Sequence, residues 1–316
     1  MKKLLILVLA LVMLVALVAA CGDESEKTEA TTTVATTEAT TTEATTTAET
    51  TVATTTTEAT TEATTTEATT TETTTAETTT PPVAINVPEA YADIDFKDGT
   101  ISDAKGQLSF TNKGATVGKA SVIHDGNTYE ADALTASSGK YVICKFNNIS
   151  TSAAMKAWAE SGFSVEAFYL MPNSGSIQGI VCGTQNGGWG LAEDKTGKPY
   201  FITGGGSKYN SGAYAKSASS TTELVHVLGV YDAASKKCSI YINGKLTQEV
   251  TIASNFVCGE GNTFNYFCLG DDIKAGLTGG DFPTSGMTMV DAKIYDSALT
   301  ADDAANIYKA AVNSLK

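Results

Sequence analysis

Leu224-Val225-His226-Val227-Leu228-Gly229-Val230-Tyr231 is followed, after a polar break, by Lys237-Cys238-Ser239-Ile240-Tyr241-Ile242-Asn243 and then by Gly244 and Lys245 to Ile252. The first two runs are short, apolar and rich in β-branched and aromatic residues, the composition of buried strands. Asn243-Gly244 between two such runs is the strongest short-range signal of a two-residue hairpin, because both residues tolerate positive φ. Three consecutive strands are therefore expected here, without an intervening helix.

The same pattern extends outward. Phe163-Ser164-Val165-Glu166-Ala167-Phe168-Tyr169-Leu170 alternates and then broadens, and Phe264 to Leu269 and Met287 to Tyr295 read as further strands. Two helical segments are expected, at 151–161 and 300–315. In the second, Thr300 is placed to cap, Asp302 and Asp303 sit in the first turn, and Ala304, Ile307, Tyr308, Ala311 and Leu315 share one face. Strands without crossover helices predict an all-β, two-sheet antiparallel sandwich with a short C-terminal helix.

Upstream of Val83 the chain changes character. Residues 28–80 repeat units such as Thr42-Glu43-Ala44-Thr45-Thr46, with no aromatic residue and only Val34 and Val52 as larger apolar residues. Such a segment cannot bury enough surface to offset chain entropy, so 21–82 is expected to be a disordered tether. As a relaxed coil it would span about 45 Å, and glutamate repulsion would lengthen it. Pro81-Pro82 gives a stiff junction to one globular domain over 83–316.

The first twenty residues combine Lys2 and Lys3 with an uncharged apolar run from Leu4 to Ala20, as in an export signal. Val18-Ala19-Ala20-Cys21 then resembles the bacterial lipobox. That resemblance implies cleavage after Ala20 and lipidation of Cys21, with the protein held on the outer face of a cell membrane, most simply in a Gram-positive cell. Two or more acyl chains are needed for stable anchoring.

Charge narrows the partners. The formal charge of −14 comes largely from the tether, which carries −11, and the domain itself retains only about −5. All 21 basic residues are Lys. An acidic chain with neither a basic stripe nor Arg forks is poorly suited to phosphate backbones, so nucleic acid is not an expected partner.

Five pieces carry a wider resemblance: Phe163 to Phe168, Gly188-Trp189-Gly190-Leu191, Val225 to Asp232, Ile240-Tyr241-Ile242-Asn243-Gly244-Lys245, and Val290 to Thr300. In order and spacing they resemble the laminin G-like members of the concanavalin A-like lectin/glucanase superfamily, most closely from about Ser161 onward. The resemblance implies a jelly-roll sandwich but no particular ligand, since the fold hosts lectins, adhesion modules and glucanases. Glucanases on this fold carry Glu-x-Asp-x-Glu along one strand. The nearest fragment here, Glu130-Ala131-Asp132-Ala133-Leu134, lacks the third acid, and no enzyme activity is expected.

Ligand binding is expected where aromatics stand among Gly, Ser and Asn. Trp189, Tyr200, Tyr209 and Tyr214 are the candidates, their rings being suited to stacking on sugars, although Trp189 and Tyr200 are equally suited to filling the core. The expected partner is a polysaccharide or surface glycan, or else a surface protein; a structural adhesion domain and a glycosidase or its accessory domain are the alternatives. Related jelly rolls carry a structural Ca²⁺, which by analogy would engage Asp95, Asp98 and Asp291. Beyond Cys21 there are five cysteines, too few by one for complete pairing, with a Cys258–Cys268 bridge the one open option.

Overall fold

The computed structural model describes residues 85–316 apart from 185–186, 207, 260–262 and 275. The expected signal peptide, Cys21 and the tether lie outside the described residues. In chain order the strands are β1 (Ala92–Asp95), β2 (Ser102–Asp103), β3 (Leu108–Asn112), β4 (Thr116–His124), β5 (Asn127–Ala136) and β6 (Val142–Phe146). Helix α1 (Ser152–Ala159) precedes β7 (Phe163–Leu170), β8 (Gln178–Gly183), β9 (Trp189–Glu193), β10 (Pro199–Gly205), β11 (Lys208–Tyr209) and β12 (Ala213–Tyr214). The chain closes with β13 (Val225–Asp232), β14 (Lys237–Ile242), β15 (Lys245–Thr251), β16 (Tyr266–Leu269), β17 (Met287–Tyr295) and helix α2 (Ala301–Ser314).

These strands form two antiparallel sheets. The nine-stranded sheet runs β15-β14-β13-β7-β17-β1-β2, with the β4–β5 hairpin joined to β17 through β5. The eight-stranded sheet runs β11-β10-β9-β8-β16-β6-β3, with β12 added beside β10. Alternation decides which residues meet between them. Phe163, Val165, Ala167 and Tyr169 of β7 and Val225, Val227 and Tyr231 of β13 face Leu191, Phe201, Phe267 and Leu269 of the other sheet in one core. The expected hairpin is present, with Asn243 and Gly244 at φ 48° and 72°.

In β17 the inward set changes parity, from Met287 and Met289 to Ala292 and Ile294. A bulge between Met289 and Asp291 causes this, since one extra residue moves every later side chain to the other face. Asp291, Lys293 and Tyr295 consequently point away from the core.

The outer face of the nine-stranded sheet is not open. Helix α2 packs Ala304 and Ile307 on Leu228, Val230, Tyr241 and Tyr295. Its last turn, through Ala311 and Leu315, joins Val122 of the hairpin on Phe168. The helix begins as the sequence requires: the Thr300 hydroxyl accepts from Asp303 N–H, and the Asp303 carboxylate accepts from Thr300 N–H at 2.9 Å. Beneath this cover Glu166 is wholly buried and paired: its Oε1 lies 3.0 Å from His226 Nε2 and its Oε2 accepts from Tyr295 OH at 2.6 Å. Burial opposes ionisation of Glu166, but the charge of Lys293 and these two partners outweigh it and hold the carboxyl below its usual range.

Candidate functional site

With one broad face covered, the rim where β15 of one sheet approaches β12 of the other is the place where side chains stand open. Tyr200 of β10 and Tyr214 of β12 are cross-strand partners. Their rings stack at 4.9 Å between centroids with 20° between planes. Tyr200 is 5% exposed and forms the inner layer, while Tyr214 is 41% exposed and forms the outer one. Burial raises the Tyr200 hydroxyl far above its ordinary pKa, so it stays a neutral donor. Gly212 makes this arrangement possible: a Cβ there would lie 2.3 Å from Ile202 Cγ2 and 3.2 Å from Tyr214 Cε2. The Tyr214 N–H donates to Gln248 Oε1 at 2.5 Å, which ties β12 to β15.

The residues adjoining this pair line a groove of about 320 Å³. Pro199, Val225, Ile242 and Leu246 supply apolar wall, and Lys216, Ser217, Ser219 and Thr247 supply donors and acceptors. Leu246 is 51% exposed, an unusual setting for a leucine in an edge strand. Behind Ser219 lies Glu193, wholly buried, whose Oε1 accepts from Ser219 and, at 2.8 Å, from Tyr169 OH. Its Oε2 has no partner. Burial is the main reason the Glu193 carboxyl is pushed up to about 7, against the opposing bonds from Ser219 and Tyr169. Apolar wall and hydroxyls line the groove, and the exposed Tyr214 ring stands on the other face of β12; each is a surface that can meet a ligand with C–H faces and O–H edges.

The other expected site residues fall differently. Trp189 is 2% exposed and packs on Phe267 and Phe163, with centroids 5.2 and 6.1 Å away. It belongs to the core, because Trp189 shares its strand face with Leu191, and this corrects its assignment to a binding surface. Tyr209 is 41% exposed but its hydroxyl donates to the Thr184 carbonyl, so its ring is held down on the loop.

The three aspartates expected at a metal are not gathered. Asp95 pairs with Lys97 at 3.4 Å, Asp98 stands exposed in a turn at φ 52°, and Asp291 is salt-bridged to Lys293. An ammonium thus occupies the position opposite Asp291 that a cation would need. Among the described residues no group of three or more His, Cys, Asp or Glu converges as a metal site.

Other sequence motifs have structural settings. Glu130 is exposed and Asp132 pairs with Lys119 at 2.9 Å on the hairpin. Asp272 is buried, accepting from Thr184 N–H and Ile273 N–H, and burial pushes its carboxyl up to about 6. Cys144, Cys182, Cys238, Cys258 and Cys268 are all free thiols, with Cys258 and Cys268 unbridged. Sequence reasoning missed Glu193 and the groove, although Pro199 after a Gly-Lys turn and the exposed Leu246 in an otherwise polar strand were available signals.

Two antiparallel sheets closed into a sandwich, with a rim groove and a stacked aromatic pair, define a lectin-like binding fold. A laminin G-like family model, described as the concanavalin A-like lectin/glucanases superfamily, matches residues 145–305, half of the chain, and the chain belongs to that superfamily. No curated protein matches the sequence. Among solved structures, the binding domain of Paraclostridial Mosquitocidal Protein 1 is similar at 14% identity and a TM-score of 0.53, over 71% of this chain and 52% of that one. The botulinum neurotoxin type G receptor binding domain aligns at 13% identity and a TM-score of 0.49, over 71% of this chain and 52% of that one. The chain therefore spans about half the length of the structures it matches, and at these identities the likeness shows the fold alone.

Proposed function

We propose that this chain is a surface-displayed lipoprotein whose domain binds carbohydrate at the β12–β15 rim without cleaving it. The observation that carries the reading is the half-exposed Tyr214 ring, backed by Tyr200, on a strand whose next residue, Ala215, lines a groove of apolar wall and hydroxyls. An aromatic platform held rigid by a second ring offers stacking at little entropic cost. A binding rather than catalytic role is supported by the disposition of carboxylates. Glycoside cleavage needs two of them facing a common bond, whereas Glu193 is sealed behind Ser219 and Asp194 is tied to Thr196 N–H at 2.7 Å. Display is supported by the lipobox-like Val18 to Cys21 and the Thr-rich segment that follows.

The test is a binding screen of the full chain against neutral polysaccharides (β-glucan, xylan, mannan and galactan) together with a glycan array. Tyr214→Ala should weaken whatever binds by about 1–3 kcal/mol, the range for an aromatic anchor, with the melting temperature little changed because the ring is half exposed. Binding by Tyr214→Ala equal to wild type removes this site assignment, and release of reducing sugar from a bound polysaccharide removes the non-catalytic one.

A further inference from the structure

A second and larger groove, of about 660 Å³, lies at the end of the sandwich. Ser138, Ser174, Ser176 and Ser285 supply hydroxyls, Lys195 supplies an ammonium, and Ile177, Phe282 and Pro283 supply apolar wall. Ile177, the residue before β8, is 40% exposed and turns part of its aliphatic side chain to this groove. The loop that carries it is shaped locally: Asn173 Oδ1 accepts from Gly175 N–H at 2.9 Å, and Ser174 Oγ accepts from Ser176 N–H at 3.2 Å. Like the rim groove it combines hydroxyls, an ammonium and apolar wall; it differs in adding Asp281, which is paired with Lys274 at 3.1 Å.

The two grooves are neighbours. The turn joining β9 to β10, Asp194 to Lys198, stands between them as a shared wall. On one side the Gly197 carbonyl accepts from Ser219 N–H at 2.9 Å, and Ser219 lines the rim groove. On the other side a Cβ at Gly197 would meet Asn173 at 3.4 Å, and Asn173 shapes the loop of the second groove. Lys195 lines the second groove and Pro199 the first. They are four positions apart, so their Cα atoms lie at most about 14 Å from each other even in an extended chain. The turn itself is rigid: Gly197 N–H donates to Asp194 O at 2.9 Å, and the Asp194 carboxylate accepts from Thr196 and Lys198 N–H.

We infer that the two grooves are one track, and that the ligand is the interior of a linear, hydroxyl-rich polysaccharide crossing the Asp194–Lys198 turn. This rests on the carbohydrate reading above. A single sugar ring fits either groove but cannot occupy both. A chain of several units engages both, and its second contact becomes intramolecular, which raises affinity without any new kind of interaction. Recognition of this sort reads a repeating backbone and ignores chain ends.

The experiment takes the polysaccharide from the neutral panel that binds the full chain best and compares its monosaccharide with a long chain. Wild type should bind the longer chain about tenfold tighter or more. Ser176→Trp, which fills the second groove from an exposed position, and Ile177→Ala, which trims its wall, should remove most of that preference while the monosaccharide still binds at the rim and is still lost in Tyr214→Ala. Tyr214→Ala should weaken both ligands. If the second-groove variants leave the longer chain's affinity at the wild-type value while Tyr214→Ala still weakens it, the track is overturned and the rim site stands. Equal loss for both ligands in Ser176→Trp overturns the division between grooves. Failure of every polysaccharide to bind overturns the carbohydrate reading, and the track with it.

Discussion

At the scale of single residues, Glu193 makes the sharpest demand on the solution behaviour of the domain. Its carboxyl ionises near 7 in the folded protein against an ordinary 4.5. Between those values the folded chain keeps a proton that the unfolded chain has lost. Its contribution to stability is therefore complete below 4.5 and declines as pH rises to 7, by on the order of 3 kcal/mol. Asp272, raised to about 6, acts in the same direction, so the comparison with Glu193→Gln isolates the term. The variant should lose less melting temperature than wild type between pH 5 and pH 8, and identical pH profiles would contradict the assignment. Residue-scale chemistry was only partly legible in the sequence. Tyr214 sits among Gly, Ser and Asn, which suggested an exposed ring, and it is half exposed. Trp189 has the same composition around it and is buried, because Trp189 and Leu191 alternate with Gly190 and Ala192 and so share the core face. Composition records what a side chain can do, and parity along the strand decides where it does it.

Elements were read more successfully than residues, for a physical reason. A strand between apolar neighbours on both sides is specified by its own run of residues, and β7, β13, β14 and β17 fall where their runs stand. Helix α2 was equally visible because its cap, acidic first turn and apolar stripe agree. Replacing Thr300 with Ala removes the hydroxyl that accepts from Asp303 N–H and should cost about 1 kcal/mol, measured as a shift in the urea midpoint. A change of only a tenth or two would mean that packing on Leu228 and Tyr241, and not the cap, fixes the helix start. The strands before α1, and β8 to β12, were not read as separate elements, and the β4–β5 hairpin is the largest of these omissions. In β4 only Val122 and His124 are buried, so it carries little apolar alternation, and Asp125-Gly126, at φ 47° and 73°, marks its turn. Together α2 and this hairpin cover the outer face of the nine-stranded sheet.

For the whole molecule, mass spectrometry of the protein purified from membranes should find the mature chain beginning at Cys21 with acyl groups on its thiol. An unmodified Cys21, or a chain retaining Met1 to Ala20, would sink the anchoring proposal. The sheet order carries a different consequence. β17 is bonded on both flanks, to β7 on one side and to β1 and β5 on the other, and the pair Ala92 and Ile294 joins the first strand of the domain to the last. A chain delivered across a membrane from its N-terminus exposes β1, β5 and β7 long before β17 arrives. Until then the edges that β17 will bond stay open, although β2, β4 and β13 already lie on their other sides, and closing so long a loop is slow. For a chain exported as proposed above, the nine-stranded sheet is completed last, and its open edges stay exposed to proteases and to other emerging copies until the final thirty or so residues are delivered.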